Sequence, residues 1–258
     1  MSKIEKFLTT GHPKNVIAHL QRMRSGKLVA EAVRHGSADV GIAAINRLEE
    51  LDTSQYPSQL PLALARLANT SSAFGLLIER WKFFKKPIPD LSPFKKELLK
   101  VFQTKDWISV SQNARAVAEI LAPIAPAELI KAGLVNSRGS MQSSVTDYLI
   151  QNPHPIRPEA AASLLDHKDP SVRYYAIMLL SHGDYTTHAR KYASKIGKIF
   201  LHEEDELRKN RYITALARIG SQAALPALRE KLKREKKPYI AENIRKTIDY
   251  LEKEGVPS

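Results

Sequence analysis

The sequence contains no cysteine, which excludes disulfides, thiolate metal sites and cysteine nucleophiles. It has no run of about 18 apolar residues of the kind that spans a membrane. Its most apolar stretches, 60–67 and 116–125, are interrupted by Arg66, Glu119 or Pro123. The opening MSKIEKFLTTGHPKN lacks the apolar centre of a signal peptide, so a soluble, cytoplasmic protein is expected. Period-two alternation is nearly absent, which argues against strands. The glycine-rich phosphate loops and the G-x-S-x-G elbow are missing, as is any H-x-x-x-H with an intervening Glu. No catalytic residue, metal site or cofactor is therefore expected.

What remains is a chain of 258 residues, 43% hydrophobic and 26% charged, which suits a folded protein with a sizeable core. Its net charge of +13 is spread along the chain. Residues 1–129 hold 18 basic and 12 acidic side chains, and residues 130–258 hold 22 and 15. Such a surface favours acidic partners, nucleic acid among them.

The clearest helix signal is 169–183, DPSVRYYAIMLLSHG. Asp169 can cap the first amides, Pro170 is tolerated at the first helical position, and Gly183 can adopt the left-handed conformation that ends a helix. Before and after it, apolar residues recur at helical spacing between short Gly, Pro, Asn or Ser breaks. Following a leader helix over 12–24, seven pairs are expected: 26–35 with 38–51, 57–69 with 71–86, 92–103 with 105–122, 126–132 with 141–151, 158–167 with 170–182, 186–201 with 203–219, and 222–234 with 239–253. Two segments with three prolines each, KKPIPDLSP and NPHPIRP, forbid continuous helix. A division into two lobes is expected, if anywhere, at 152–158.

Gly183, Gly220 and Gly255 lie 37 and 35 residues apart. Ten residues before the first and last stand Arg173 and Arg245, while Asn210 takes the middle slot and Gly41 the corresponding slot in the first pair. Two helices per mid-thirties period resemble HEAT repeats of the phycobilisome-lyase type. The resemblance implies an all-α fold, a right-handed α-solenoid of about seven HEAT-like helix pairs in a single domain over 1–258. It also implies a ladder in which Asp169 and Arg173 bond between neighbouring repeats, and a concave face lined by the second helices. Repeat type alone would equally suit a bilin lyase, because repeats do not fix function.

The candidate contact residues lie in two zones. In the first, Arg80, Trp81, Lys82, Lys85, Trp107 and Arg115 interleave cations with aromatics, a pattern expected first of a buried aromatic stripe flanked by solvated lysines and second of a nucleic-acid surface. In the second, Arg173, Tyr174, Arg208, Arg211 and Tyr212 could share the concave side. TKDWISVS, 104–111, is similar to the segment carrying the active-site tryptophan and aspartate in HEAT-like alkylpurine DNA glycosylases. Trp107 would match the DNA-contacting aromatic. Ser111 stands where the carboxylate belongs, and a serine cannot stabilise a cationic sugar, so the similarity argues against glycosylase activity. The function expected is a non-catalytic scaffold for a protein partner, with a nucleic-acid-binding protein as the alternative.

Overall fold

The computed structural model describes residues 2–51, 59–104, 112–152, 158–183 and 185–254. The chain is all-α, with no strand among the described residues. It divides into two compact units, Met1–Val145 and Thr146–Ser258. Trp107, Ser111, Gly255 and the prolines of 153–157 lie outside the described residues.

In the first unit the helices are α1 (Lys3–Thr10), α2 (Pro13–Leu20), α3 (Gly26–Glu31), α4 (Ala38–Glu50), α5 (Gln59–Leu67), α6 (Ala73–Phe83), α7 (Lys95–Leu99), α8 (Asn113–Leu121) and α9 (Pro126–Lys131). The unit ends within α10 (Ser140–Gln151). The leader expected over 12–24 is α2, shortened, and α1 precedes it, started by a capping box in which Ser2 and Glu5 satisfy each other's backbone amides. Several expected helices shorten or tighten at their ends into 3-10 turns, as at Ala32–Arg34 and Lys100–Gln103. The helix expected over 126–132 runs on through a π-helical turn, Ala132–Asn136.

Short helices such as these bury a stripe only by stacking. First helices rest on first helices, α3 on α5 and α5 on α7, while α4 rests on α6 and α6 on α8. Gly41 faces Leu67 so closely that a Cβ would stand 2.5 Å from its Cδ1, which accounts for glycine in the slot held elsewhere by arginine. Asn113 ties the second row together. Fully buried, it donates to the carbonyls of Ala68 and Ser71, both at 2.8 Å, and accepts from the Gly75 N–H at 2.9 Å.

The second unit holds α11 (Pro158–Ala162), α12 (Pro170–Leu180), α13 (Tyr185–Ala189), α14 (Ala193–Leu201), α15 (Glu206–Ile219), α16 (Leu225–Arg234) and α17 (Pro238–Glu254). α12 starts and stops as its residues dictate: Asp169 accepts from the Ser171 N–H, Pro170 occupies the first turn, and Gly183 has φ +53. Gly220 closes α15 at φ +65. The helix expected over 186–201 is broken by a 3-10 turn, Arg190–Tyr192, into α13 and α14. Here α12 packs on α15 and α15 on α17, while α14 packs on α16.

The inter-repeat ladder expected at Asp169 and Arg173 is corrected. The Asp169 carboxylate caps its own helix, and Arg173 Nη1 donates to the carbonyls of His167 and Lys168, in the loop just before it. Arg245 pairs within its own helix with Glu242. Bonds across α15 and α17 are made instead by Asn243 with Asn210, at 3.1 Å, and by Tyr239 with Glu206, at 2.5 Å.

Replacing Asn113 with Leu would take the Asn113 amide from the Ala68 carbonyl and the Gly75 N–H, at about 1–3 kcal/mol for each buried group left unsatisfied, and leave the Ser71 carbonyl only the Phe74 N–H at 3.5 Å. Thermal unfolding followed by circular dichroism should show a large loss of stability for Asn113→Leu, and a Tm within a degree or two of wild type would refute this role.

Candidate functional site

The first turns of α12 and α15 and one face of α14 converge on a cavity of about 570 Å³. Arg173 and Arg208, both expected as contact residues, line it together with Lys195 and Lys198. The two lysines stand three apart on α14 and so share a face. The wall also holds His202 and the carboxylates of Asp166, Glu203 and Glu204.

Each of these carboxylates is already engaged. Asp166 pairs with Lys195. Glu203 accepts from the Glu204 and Asp205 N–H groups and lies 3.6 Å from Arg208. Glu204 is drawn to Lys209 and Lys231, at 3.6 and 3.4 Å. Among the described residues, Arg173 bonds to backbone carbonyls alone and Lys198 makes no ion pair.

Behind this wall lies a second cavity, of about 450 Å³, bordered by Lys209, Lys231 and Glu235. Both lysines are buried, at 6% and 4% exposure. Lys231 donates to the carbonyls of Leu201 and Glu203, at 3.2 and 2.7 Å. Lys209 lies 3.1 Å from the buried Glu235 carboxylate, an ion contact without hydrogen-bond geometry on that oxygen. Burial alone would raise the Glu235 pKa. The Lys237 backbone N–H and the Lys209 ammonium more than offset this and hold it below 4.5. For Lys209, burial works toward a lower pKa, and Glu235 and Glu204 reverse it to a net rise. Both members therefore stay charged near neutrality.

Tyr212 does not reach the surface. It is fully buried against Tyr174, with ring centroids 6.1 Å apart, and burial, then Glu203, push its pKa up so that the hydroxyl keeps its proton. Tyr174 is half-buried, while Arg211 is exposed on α15 outside the cleft. Tyr212 is thus a core residue and is withdrawn from the contact set.

The basic-aromatic zone of the first unit is likewise redistributed. Trp81 is 5% exposed and belongs to the core, with the Lys86 ammonium 4.7 Å from its ring centroid. Phe83 and Phe84, not expected as contact residues, are 81% and 66% exposed. Their rings meet edge to face at 5.1 Å, and the Arg80 guanidinium stands 6.0 Å from the Phe84 centroid. Lys82 is engaged by Glu79 and Glu119, and Lys86 by Glu49. Arg80, Lys85 and Arg115 are exposed. Lys85 has φ +53 and lets the Lys86 N–H close the helix on the Trp81 carbonyl, a role usually taken by glycine.

Two histidines have structural roles. His35 Nε2 donates to the Gly11 carbonyl while Nδ1 accepts from the Ser37 N–H, and His182 bridges the Met178 carbonyl and Arg218. No cluster of metal-ligating side chains occurs among the described residues, and no described helix is long and apolar enough to cross a membrane.

No family model and no curated protein matches the chain. The crystal structure of an engineered protein aligns with it over the full length of both chains, at 16% identity and a TM-score of 0.32, a likeness too slight to carry an argument.

Removing Lys209 would strand Glu235 in the interior, and Lys209→Ala is expected to cost about 3 kcal/mol of stability in denaturant unfolding. Because the folded pKa of Glu235 is lowered, its stabilising contribution is present above its unfolded value of 4.5 and lost as pH falls through the folded value. The gap in unfolding free energy between wild type and Glu235→Gln should therefore narrow on acidification. A constant gap across that range would sink the assignment.

Proposed function

We infer that this chain is a non-catalytic scaffold of HEAT-like helix pairs, stacked as a right-handed α-solenoid, that holds a protein partner on the exposed faces of its second helices. The observation that supports the reading is a sequence separation in the mid-thirties that recurs in side-chain contacts between stacked elements. In the first unit Arg66 reaches Glu31, Thr70 reaches the Val33 carbonyl, Lys86 reaches Glu49 and Lys82 reaches Glu119, at separations of 35, 37, 37 and 37. In the second unit Arg218 meets His182, Tyr239 meets Glu206 and Asn243 meets Asn210, at 36, 33 and 33. Repeats that touch only their neighbours produce this signature, since each contact spans one period. Leu207 on α15 and Leu76 on α6 are exposed and give one position in each unit at which a partner contact can be probed.

The test is affinity capture with the full chain from lysate, with and without nuclease, comparing wild type with Leu207→Ser and Leu76→Ser. A protein retained after nuclease and lost from one of these variants supports the scaffold reading. A captured set that vanishes with nuclease overturns it.

A second reading, nucleic-acid binding, is favoured by one arrangement: Phe83 and Phe84 stand exposed beside Arg80 and Lys85. Exposed rings can stack on bases while cations follow the phosphates. Binding of a single-stranded oligonucleotide should then fall steeply with salt, and Phe83→Ser should weaken it by about 1–3 kcal/mol per stacked base lost. Salt-independent binding, or none at low salt, would remove this reading.

A further inference from the structure

The geometry points to the cleft between α12, α14 and α15 as a binding site for a phosphomonoester dianion, presented by a phosphorylated side chain of the protein partner. The link to a partner rests on the scaffold reading; the site itself rests only on its own residues. Four cationic side chains, Arg173, Lys195, Lys198 and Arg208, border one cavity. Asp166 answers Lys195, and Glu203 answers Arg208 loosely at 3.6 Å. The third carboxylate in the wall, Glu204, is turned toward the buried Lys209 and Lys231. Arg173 and Lys198 are thus left without a carboxylate among the described residues.

The unanswered charge calls for an anion, and two cations in one cleft match a dianion better than a monoanion. A phosphomonoester carries about −1.5 to −2 near neutrality, whereas each phosphodiester of a nucleic-acid strand carries one charge. Arg173 is also positioned in advance. Its Nη1 is held by the His167 and Lys168 carbonyls at 2.7 and 2.9 Å, which fixes the guanidinium plane and leaves Nε and Nη2 as a pair of donors. Arginine at such a position suits the bidentate geometry of phosphate oxygens. The cavity, at about 570 Å³, is far larger than a phosphate and has room for the residue that bears it.

The experiment is calorimetric titration of the full chain at fixed ionic strength with O-phosphoserine, inorganic phosphate and a thymidine oligonucleotide. O-phosphoserine should bind saturably, and binding should weaken below about pH 6 as the phosphate loses its second charge. Arg173→Gln and Lys198→Gln should each reduce affinity roughly tenfold, as expected for one lost charge-assisted contact. Lys253→Gln, at an exposed position on α17, should leave it unchanged. Lys198 is exposed, so its variant separates loss of binding from loss of fold, which Arg173 alone would not. Tighter binding of O-phosphoserine than of inorganic phosphate supports a partner's side chain as the source, and the reverse supports a free anion in the same site. No saturable binding of either, equal affinity in wild type and Lys198→Gln, or binding of the oligonucleotide alone would overturn the proposal. None of these titrations needs a protein partner, so failure of the scaffold reading would be seen separately, in the capture experiment.

Discussion

The rest of the structure depends on the inability of its helices to bury a face alone. Most run between five and fourteen residues, and an isolated helix of that length is marginal in water. Order comes from laying each helix on another of its own row, as α4, α6 and α8 do in the first unit and α12, α15 and α17 in the second. Stacking puts many backbone groups near one another, and the polar side chains between rows satisfy what the helix ends leave open. Asn113 does this for three backbone groups at once, and Lys231 for two carbonyls, one at the end of α14 and one just beyond it.

Local signals were legible wherever the sequence alone constrains the backbone. Asp169, Pro170 and Gly183 mark the ends of α12 because capping, fixed φ and a left-handed turn are properties of single residues. Lys85 is not legible in this way: its positive φ goes with the bond from the Lys86 N–H to the Trp81 carbonyl and not with any preference of lysine. The departures noted at Gly41 and Asn210 turn out to be contact positions. One is small because Leu67 presses on it, and the other is an amide because Asn243 faces it. Periodicity identified the rows but not the partners across them.

Site residues were less legible, for a related reason. Arg80, Trp81, Phe83 and Phe84 follow closely on one helix, and only the direction of its buried face decides which ring is core and which is surface. A tryptophan is the default contact aromatic when the face is unknown; here it is Trp81 that turns inward while the phenylalanines stand out. Lys209 and Lys231 are not legible as interior residues because lysine at helical spacing reads as a solvated face, and only the tertiary arrangement brings Glu235 and the carbonyls that make their burial tolerable.

These buried lysines connect the interior to the cleft. A charge cannot remain buried without compensation, and the exposed Glu204 carboxylate, 3.6 and 3.4 Å from Lys209 and Lys231, supplies part of theirs. Were Glu204 free of these lysines, it could pair with Arg173 or Lys198, and the four cations of the cleft would face three available carboxylates instead of two. Part of the cationic surplus of the cleft is therefore a consequence of how the interior is neutralised, added to the one cation by which the lining residues already exceed their carboxylates. A substitution at Lys209 or Lys231 would release Glu204 and change the cleft without touching any of the cations that line it.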